Sequence, residues 1–188
     1  MSQTNIKITI LKDTLRVPLD AQALQNAIFV ESGNEHYVLS QITVSGKYDR
    51  EYTVASYFLP LDEFRVLLDG DLLIFCLFHE LVVIDLAKDK LIKSIAFDGY
   101  ELLRIIKFKS GYFLHGEAEN RFLDKHFKTV WEAGAVDIFA NSKAEKALEI
   151  YDDFITVFDW CGYKHVYDEV GEVGFSTYYP EYNCNEEE

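Results

Sequence analysis

Short apolar runs separated by turn-forming residues make up most of the chain. Residues 81–84 and 155–158 are apolar on both of the faces that a strand presents, without the strict apolar–polar alternation of a half-exposed strand. A strand of this kind is covered on both sides by other layers of structure. The pattern therefore predicts short β-strands buried within a layered, β-rich fold.

A three-strand pattern recurs three times between residues 61 and 170. In each unit, a first strand turns tightly into a second strand, which ends in two apolar or aromatic residues and an aspartate: Asp85, Asp124 or Asp159. A third strand begins a few residues later. Units drawn as 61–97, 98–134 and 135–170 are 37, 37 and 36 residues long, so the chain is predicted to repeat one meander.

Further strands are predicted within this repeat. Residues 102–108 and 136–140 have the composition of a fourth strand, placed ahead of the three-strand meander in the second and third units. The third strands contain charged or polar side chains: Lys93 and Ser94, then Glu132, then Asp168 and Glu169. Such a strand suits the exposed edge of a small sheet, where charge discourages pairing with other chains.

The first sixty residues fit the repeat less closely. Strands are predicted over residues 27–31, 36–44 and 51–59, which are candidates for a divergent fourth unit. Loops containing glycine separate them. Ahead of them, a hairpin is predicted from strands over residues 6–11 and 15–17 that turn at Lys12 and Asp13.

Three segments begin with residues that are typical of helix starts. Asp20 is a candidate cap for a helix over residues 21–25, and Asp62 is one for a helix over residues 63–68 that stops at Gly70. Ser142 and Glu145 have the spacing of a capping box. The repeat argues against this last helix, because it requires extended chain soon afterwards.

Meanders of about this length resemble the blades of β-propellers. The resemblance covers residues 61–170, but the WD and kelch signatures are absent, so it indicates no specific family. It implies a scaffold with loops on its faces and implies no activity. The expected fold class is all-β, an antiparallel meander of three to four blade-like units, closed or open, with one or two short helices at most. One domain is expected over residues 1–175, followed by a flexible acidic tail over 176–188.

The charge balance limits the partners. The chain has 32 acidic and 18 basic residues, giving a net charge of −14, and its last 22 residues contain seven acids and no lysine or arginine. Nucleic acid and anionic membranes would be repelled, so neither is an expected partner. A basic protein is the partner that this charge favours. The alternative is that the acidity serves solubility alone.

The expected location is the cytoplasm. The N-terminus lacks the positive start and apolar core of a secretion signal. No apolar run is long enough for a membrane span. Three cysteines cannot all pair within one chain, and their spacing does not indicate a disulfide framework.

His115 and Glu117 are the first candidates for catalysis or metal binding. They are two residues apart on a predicted strand, so both side chains are expected on the same face. A metal site needs three or four suitable ligands, and the other histidines lie in other units. The alternative is a strand-end histidine that is hydrogen-bonded to a neighbour. No metal or other cofactor is therefore assigned.

Other candidate groups have structural explanations. Asp85, Asp124 and Asp159 are expected to accept backbone N–H bonds in the turns that follow them. Asp152 and Asp153 lie at a predicted tight turn, and Cys161 has few positive neighbours to make it reactive. The candidates for binding are the tyrosines of the acidic tail, because tyrosine is frequent in interfaces: Tyr178, Tyr179 and Tyr182.

Three functions remain open, and no motif for a particular reaction or ligand is present. The leading hypothesis is a non-enzymatic protein-binding module, of which an immunity-type protein that neutralises a basic toxin is a sharper form. The second is a metal-dependent enzyme with a site around His115 and Glu117. The third is a structural or assembly component that associates through open sheet edges.

Overall fold

The computed structural model describes residues 4–16, 29–30, 36–57, 60–97, 101–135, 137–139, 141, 143, 147–173 and 176–185. These residues form strands in four sheets, and the described helical structure is a single 3-10 turn, Pro180–Tyr182. Within the same residues, no helix is long and apolar enough to cross a membrane. The predicted caps at Asp20 and Ser142 lie outside the described part of the chain.

The first sheet is built from β1 (Asn5–Arg16), β2 (Phe29–Val30), β3 (His36–Ser45) and β4 (Arg50–Tyr57), in the order β1-β3-β4-β2. β2 runs parallel to β4, and the other pairs are antiparallel. The predicted hairpin at Lys12 and Asp13 is wrong, because β1 continues through them against β3. Two register shifts, one between Ile10 and Lys12 and one between Lys12 and Leu15, interrupt the regular pairing of this ladder.

The second sheet contains β5 (Val66–Asp69), β6 (Leu72–Cys76), β7 (Glu80–Asp85) and β8 (Lys90–Ala96), in sequence order. The predicted helix over residues 63–68 is wrong. Asp62 does accept the N–H groups of Phe64 and Arg65, but that turn leads directly into β5. Gly70, with a φ of +61°, then reverses the chain so that β5 pairs with β6. The strand forms here instead of the predicted helix because its apolar side chains reach the core.

The third sheet contains β9 (Leu102–Phe108), β10 (Gly111–Gly116), β11 (Glu119–Leu123) and β12 (Thr129–Gly134), again as a meander. The fourth strand predicted over residues 102–108 is confirmed by β9. In the second and third sheets, the last strand is the most exposed one, as its polar composition predicted.

The fourth sheet contains β13 (Leu148–Ile150), β14 (Ile155–Phe158), β15 (Tyr163–Asp168), β16 (Gly171–Glu172) and β17 (Thr177–Tyr178). Both β16 and β17 pair with β15. A strand was predicted over residues 136–140, but residues 137–139 have no strand pairing. The strands added to the meander here follow it in sequence instead of preceding it.

The all-β fold class with blade-like units is confirmed. The chain divides into two compact units, residues 1–102 and 103–188. In the first unit, Ile42 and Val54 of the first sheet pack with Phe75 and Ile84 of the second. Each such side chain contributes about 2 kcal/mol on burial.

In the second unit, the third and fourth sheets share another core, formed by side chains that include Phe113, Phe122, Val157 and Tyr167. Sheets therefore pack face to face within each unit. None of the four sheets, as far as the described residues show, closes on itself. The domain boundary after residue 175 stays a prediction.

Candidate functional site

The recurrent aspartates hold the turns that follow their strands. Asp85 accepts the N–H of Lys88, and Asp124 accepts those of His126 and Lys128. Asp159 accepts the N–H of Tyr163 at 2.9 Å. The predicted structural role of these side chains is confirmed. It also explains why an aspartate recurs at the end of the second strand in each of the three sequence repeats.

Asp159 differs from the other two because it is fully buried and reaches a histidine. Its Oδ2 lies 3.1 Å from Nε2 of His165, and the other ring nitrogen, Nδ1, lies 3.1 Å from Oε1 of Glu172 and 2.9 Å from Oγ of Ser176. The ring of Phe139 packs edge-on against the imidazole. These contacts tie the end of β14 to β15, β16 and the approach to β17.

The side chains of Ser176, His165 and Asp159 form a chain of contacts, serine to histidine to aspartate, like that of a hydrolase triad. The carboxylate of Glu172, however, accepts a hydrogen bond from the Ser176 hydroxyl at 2.8 Å. A negative group in that place repels the oxyanion that acyl transfer creates, where catalysis needs hydrogen-bond donors. The cluster therefore favours a structural role. We call its four residues, Asp159, His165, Glu172 and Ser176, the His165 clamp. The sequence hypothesis missed it because its members are separated along the chain.

His115 is a buried, hydrogen-bonded histidine, as the structural alternative predicted. Its Nδ1 lies 2.8 Å from Oδ1 of Asn120 on the neighbouring strand, and burial lowers the pKa of the imidazole from 6.5 to about 4. β10 ends at Gly116, so Glu117 lies in the bend after the strand. Among the described residues, no three metal-ligating side chains form a cluster. The catalytic candidacy of His115 and Glu117 stays a prediction.

The tyrosines proposed for binding lie against the fourth sheet. Tyr178 packs on the ring of Tyr163, while Tyr179 and Tyr182 both contact the ring of Phe158. Cys184 donates its N–H to the carbonyl of Trp160, which is a further contact holding this segment. The binding role of Tyr178, Tyr179 and Tyr182 stays a prediction.

The cysteines are free thiols. Burial raises the pKa of Cys76 to about 12. For Cys161, burial and then the nearby carboxylates of Asp159 and Asp137 raise the pKa of the thiol. Both changes reduce the thiolate form, which is the nucleophile, so the structure gives Cys161 no activation.

An exposed aromatic pair at the β13–β14 turn was missed as a binding candidate. The rings of Tyr151 and Phe154 stack with centroids 4.5 Å apart, although 42% and 37% of these residues remain exposed. A hydrogen bond from the N–H of Tyr151 to the carbonyl of Phe154 closes the turn between them. Large exposed aromatic side chains are typical centres of protein interfaces.

Acidic side chains surround this pair. Asp152 and Asp153 lie within the turn and are exposed, and Glu149 accepts the hydroxyl of Tyr151 at 2.8 Å. This hydrogen bond raises the pKa of Tyr151, so the phenol stays neutral. A negatively charged surface with apolar rings at its centre attracts cationic groups.

Two further turns lie beside the aromatic pair. Lys109, between β9 and β10, places its ammonium 3.6 Å from the carboxylate of Asp153. Ser110 donates to Glu169, between β15 and β16, at 3.2 Å. Three turns of the second unit thus form one surface, which we call the acidic aromatic face and define by residues 109–110, 149–154 and 169–170. The sequence signal was the pair Asp152–Asp153 between two aromatic residues.

Comparison with solved structures supports the fold alone. BamB from Moraxella catarrhalis, a β-propeller, matches with a TM-score of 0.50 and 11% identity over 89% of this chain and 51% of its own. The CNH domain of AfRom2 matches with a TM-score of 0.45 and 10% identity over 79% of this chain and 52% of its own. The chain therefore spans about half the length of these structures.

No family model matches the chain, and no curated protein matches it significantly. The resemblance to propeller blades without a specific family is confirmed. The class defined by the fold is thus a β-protein of propeller-like units.

Proposed function

We propose that the protein is a non-enzymatic binding module that holds a basic partner protein on its acidic aromatic face. The observation that carries this proposal is the exposed stack of Tyr151 and Phe154 among the carboxylates of Glu149, Asp152 and Asp153. Loops on a rigid β-scaffold are the usual position for binding residues.

The face offers two kinds of attraction to one cationic side chain. A lysine or arginine over an aromatic ring contributes about 0.5–2 kcal/mol, and more as water is excluded. The adjacent carboxylates add charge-assisted hydrogen bonds. The chain itself provides a precedent, because the Lys109 ammonium already lies near Asp153 at this surface.

The overall charge supports the same class of partner. A net charge of −14 speeds the encounter with a basic protein and repels acidic ones. Residues 147–173 alone contain seven acids and one lysine. Binding that depends on such charge weakens as salt screens it, with a Debye length of about 8 Å at physiological ionic strength.

The test is affinity capture from the native host, with the wild-type protein compared with the double variant Tyr151→Ser/Phe154→Ser. Val130→Ser, which removes an exposed apolar side chain from β12, is the matched control. The proposal predicts a basic protein that wild type and the control retain, that the double variant loses, and that salt releases.

The affinity for the recovered protein is then measured by calorimetry. We expect the double variant to bind at least about tenfold more weakly than wild type. Equal recovery by wild type and the double variant would contradict the proposal, and so would a recovered partner that is acidic or insensitive to salt.

A further inference from the structure

A second surface in the first unit has a different chemistry. A groove with a volume of about 560 Å³ lies between β1 and the segment that leads into β5. Its apolar lining consists of Ile6, Ile8 and Ile10 from β1 together with Leu61, Phe64 and Val66.

The side chains of β1 line the groove in a regular way. Ile6, Ile8 and Ile10 are two residues apart, so they follow one face of the strand at a spacing of about 6.6 Å. Ile6 and Ile8 pack against the core of the first unit, which fixes the floor of the groove. At its mouth, Ile10 and Phe64 are each 47% exposed.

The backbone on both sides of the groove is extended. Residues 6–10 pair with β3, and residues 66–68 pair with β6. In the described part of the chain, no second strand pairs with either of these stretches. A strand edge beside apolar pockets is the arrangement that accepts an added strand, with main-chain bonds giving affinity and alternate side chains giving specificity.

The acidic residues in the lining determine which partner the groove favours. Asp62 and Glu63 lie in the lining, beside Phe64. A second copy of this chain would bring the same carboxylates and a net charge of −14 to the groove, and like charges oppose that contact. A basic residue on the incoming segment would instead face Asp62 and Glu63 favourably.

We propose that this groove binds an extended segment of a basic partner protein, with apolar side chains at alternate positions and a lysine or arginine opposite Asp62 and Glu63. The segment adds as a strand to residues 6–10 of β1, and its apolar side chains contact Ile8, Ile10 and Phe64. This inference goes beyond the proposed function, because it concerns another surface and another mode of recognition.

The test uses a displayed library of short random peptides selected on the wild-type protein, with removal of peptides that bind the Ile10→Ser/Phe64→Ser variant. Ile10 and Phe64 are exposed, so this variant is expected to keep the fold, which circular dichroism checks. We expect enrichment of peptides with alternating apolar residues and at least one lysine or arginine. No enrichment, or enrichment without that pattern, overturns the proposal.

The most enriched peptide is then synthesised and titrated against protein labelled at its isoleucine methyl groups. Expected results are shifts at Ile6, Ile8 and Ile10, and about tenfold weaker binding to the Ile10→Ser/Phe64→Ser variant. Ile92→Ser is the matched control, because Ile92 is also 47% exposed but lies on β8.

A backbone N-methylated form of the same peptide separates strand addition from simple apolar adhesion. It is expected to lose binding, and equal binding of the methylated peptide overturns the proposed mode. Light scattering tests whether a second copy of this chain occupies the groove. A wild-type dimer that is absent in the Ile10→Ser/Phe64→Ser variant would assign the groove to a second copy and overturn the proposal. The Tyr151→Ser/Phe154→Ser variant should bind the peptide normally, which separates this result from the proposed function.

Discussion

Nε2 of His165 and Oδ2 of Asp159 lie 3.1 Å apart, with 5% and 0% of the two side chains exposed. The contact adds a tertiary bond to an aspartate that already holds its own turn through the N–H of Tyr163. The last of the recurrent aspartates therefore links the local turn to the packing of the fourth sheet.

Asp159→Ala should be strongly destabilising. The substitution leaves the buried His165 ring and the Tyr163 N–H without their shared acceptor, at an expected cost of about 3 kcal/mol in the free energy of unfolding. Urea denaturation measures this loss. Asp152→Ala, at an exposed turn position, serves as the control and should cost far less. Equal stability of the two variants would show that the clamp contributes nothing.

The turn at Asp124 should make stability depend on acidity. Hydrogen bonds from the N–H groups of Lys128 and His126 hold the pKa of Asp124 below its usual value of 3.8. The folded state therefore gains stability above that pH and loses it as the pH falls through the folded pKa. Asp124→Asn should flatten the dependence of the melting temperature on pH below 3.8. A slope identical to that of wild type would contradict the argument.

His115 should stay neutral across the physiological range. Burial lowers its pKa to about 4 in the folded state, while the unfolded chain takes up the proton near 6.5. Between these values the unfolded state binds more protons, so stability falls as the pH drops from 6.5 towards 4. Ring signals followed by NMR should titrate with a midpoint near 4. A midpoint near 6.5 would contradict the buried environment, and His115→Gln should weaken the stability slope.

Gly162→Ala should detach the C-terminal segment from the fourth sheet. Gly162 has a φ of +84°, and an added Cβ would come within 2.6 Å of the carbonyl oxygen of Tyr179. Gly70→Ala is the matched control, because Gly70 also has a positive φ but has open space around it. Limited proteolysis should cut after residue 176 faster in Gly162→Ala only. Equal protection of this segment in both variants would show that the close approach at Gly162 does not control its attachment.

The sequence predicted the elements whose chemistry is local. The turn aspartates and the strand β9 depend on residues close to one another in the chain, and the structure has them where the pattern placed them. Asp62 was misleading for the same reason. Its capping bonds form as predicted, but the next residues follow the pairing of β5 with β6 instead of a helix.

The tertiary sites could not be predicted in this way. The His165 clamp joins residues from Asp159 to Ser176, and only the folded sheet brings both ring nitrogens within reach of carboxylates. The acidic aromatic face likewise depends on contacts from Lys109 to Asp153 and from Ser110 to Glu169. These contacts span 44 and 59 residues, beyond any periodic pattern.

The order of strands in the sheets also sets how the chain folds. The second and third sheets pair only strands that follow one another in sequence, and the fourth sheet does so except for β17, which pairs with β15. Their ladders therefore form mostly by closing short loops at small entropic cost. The first sheet instead joins β1 to β3 across residues 17–35 and contains the parallel pair β2–β4. Distant pairings slow folding, so the N-terminal sheet is expected to assemble last, on a surface that the local meanders have already formed.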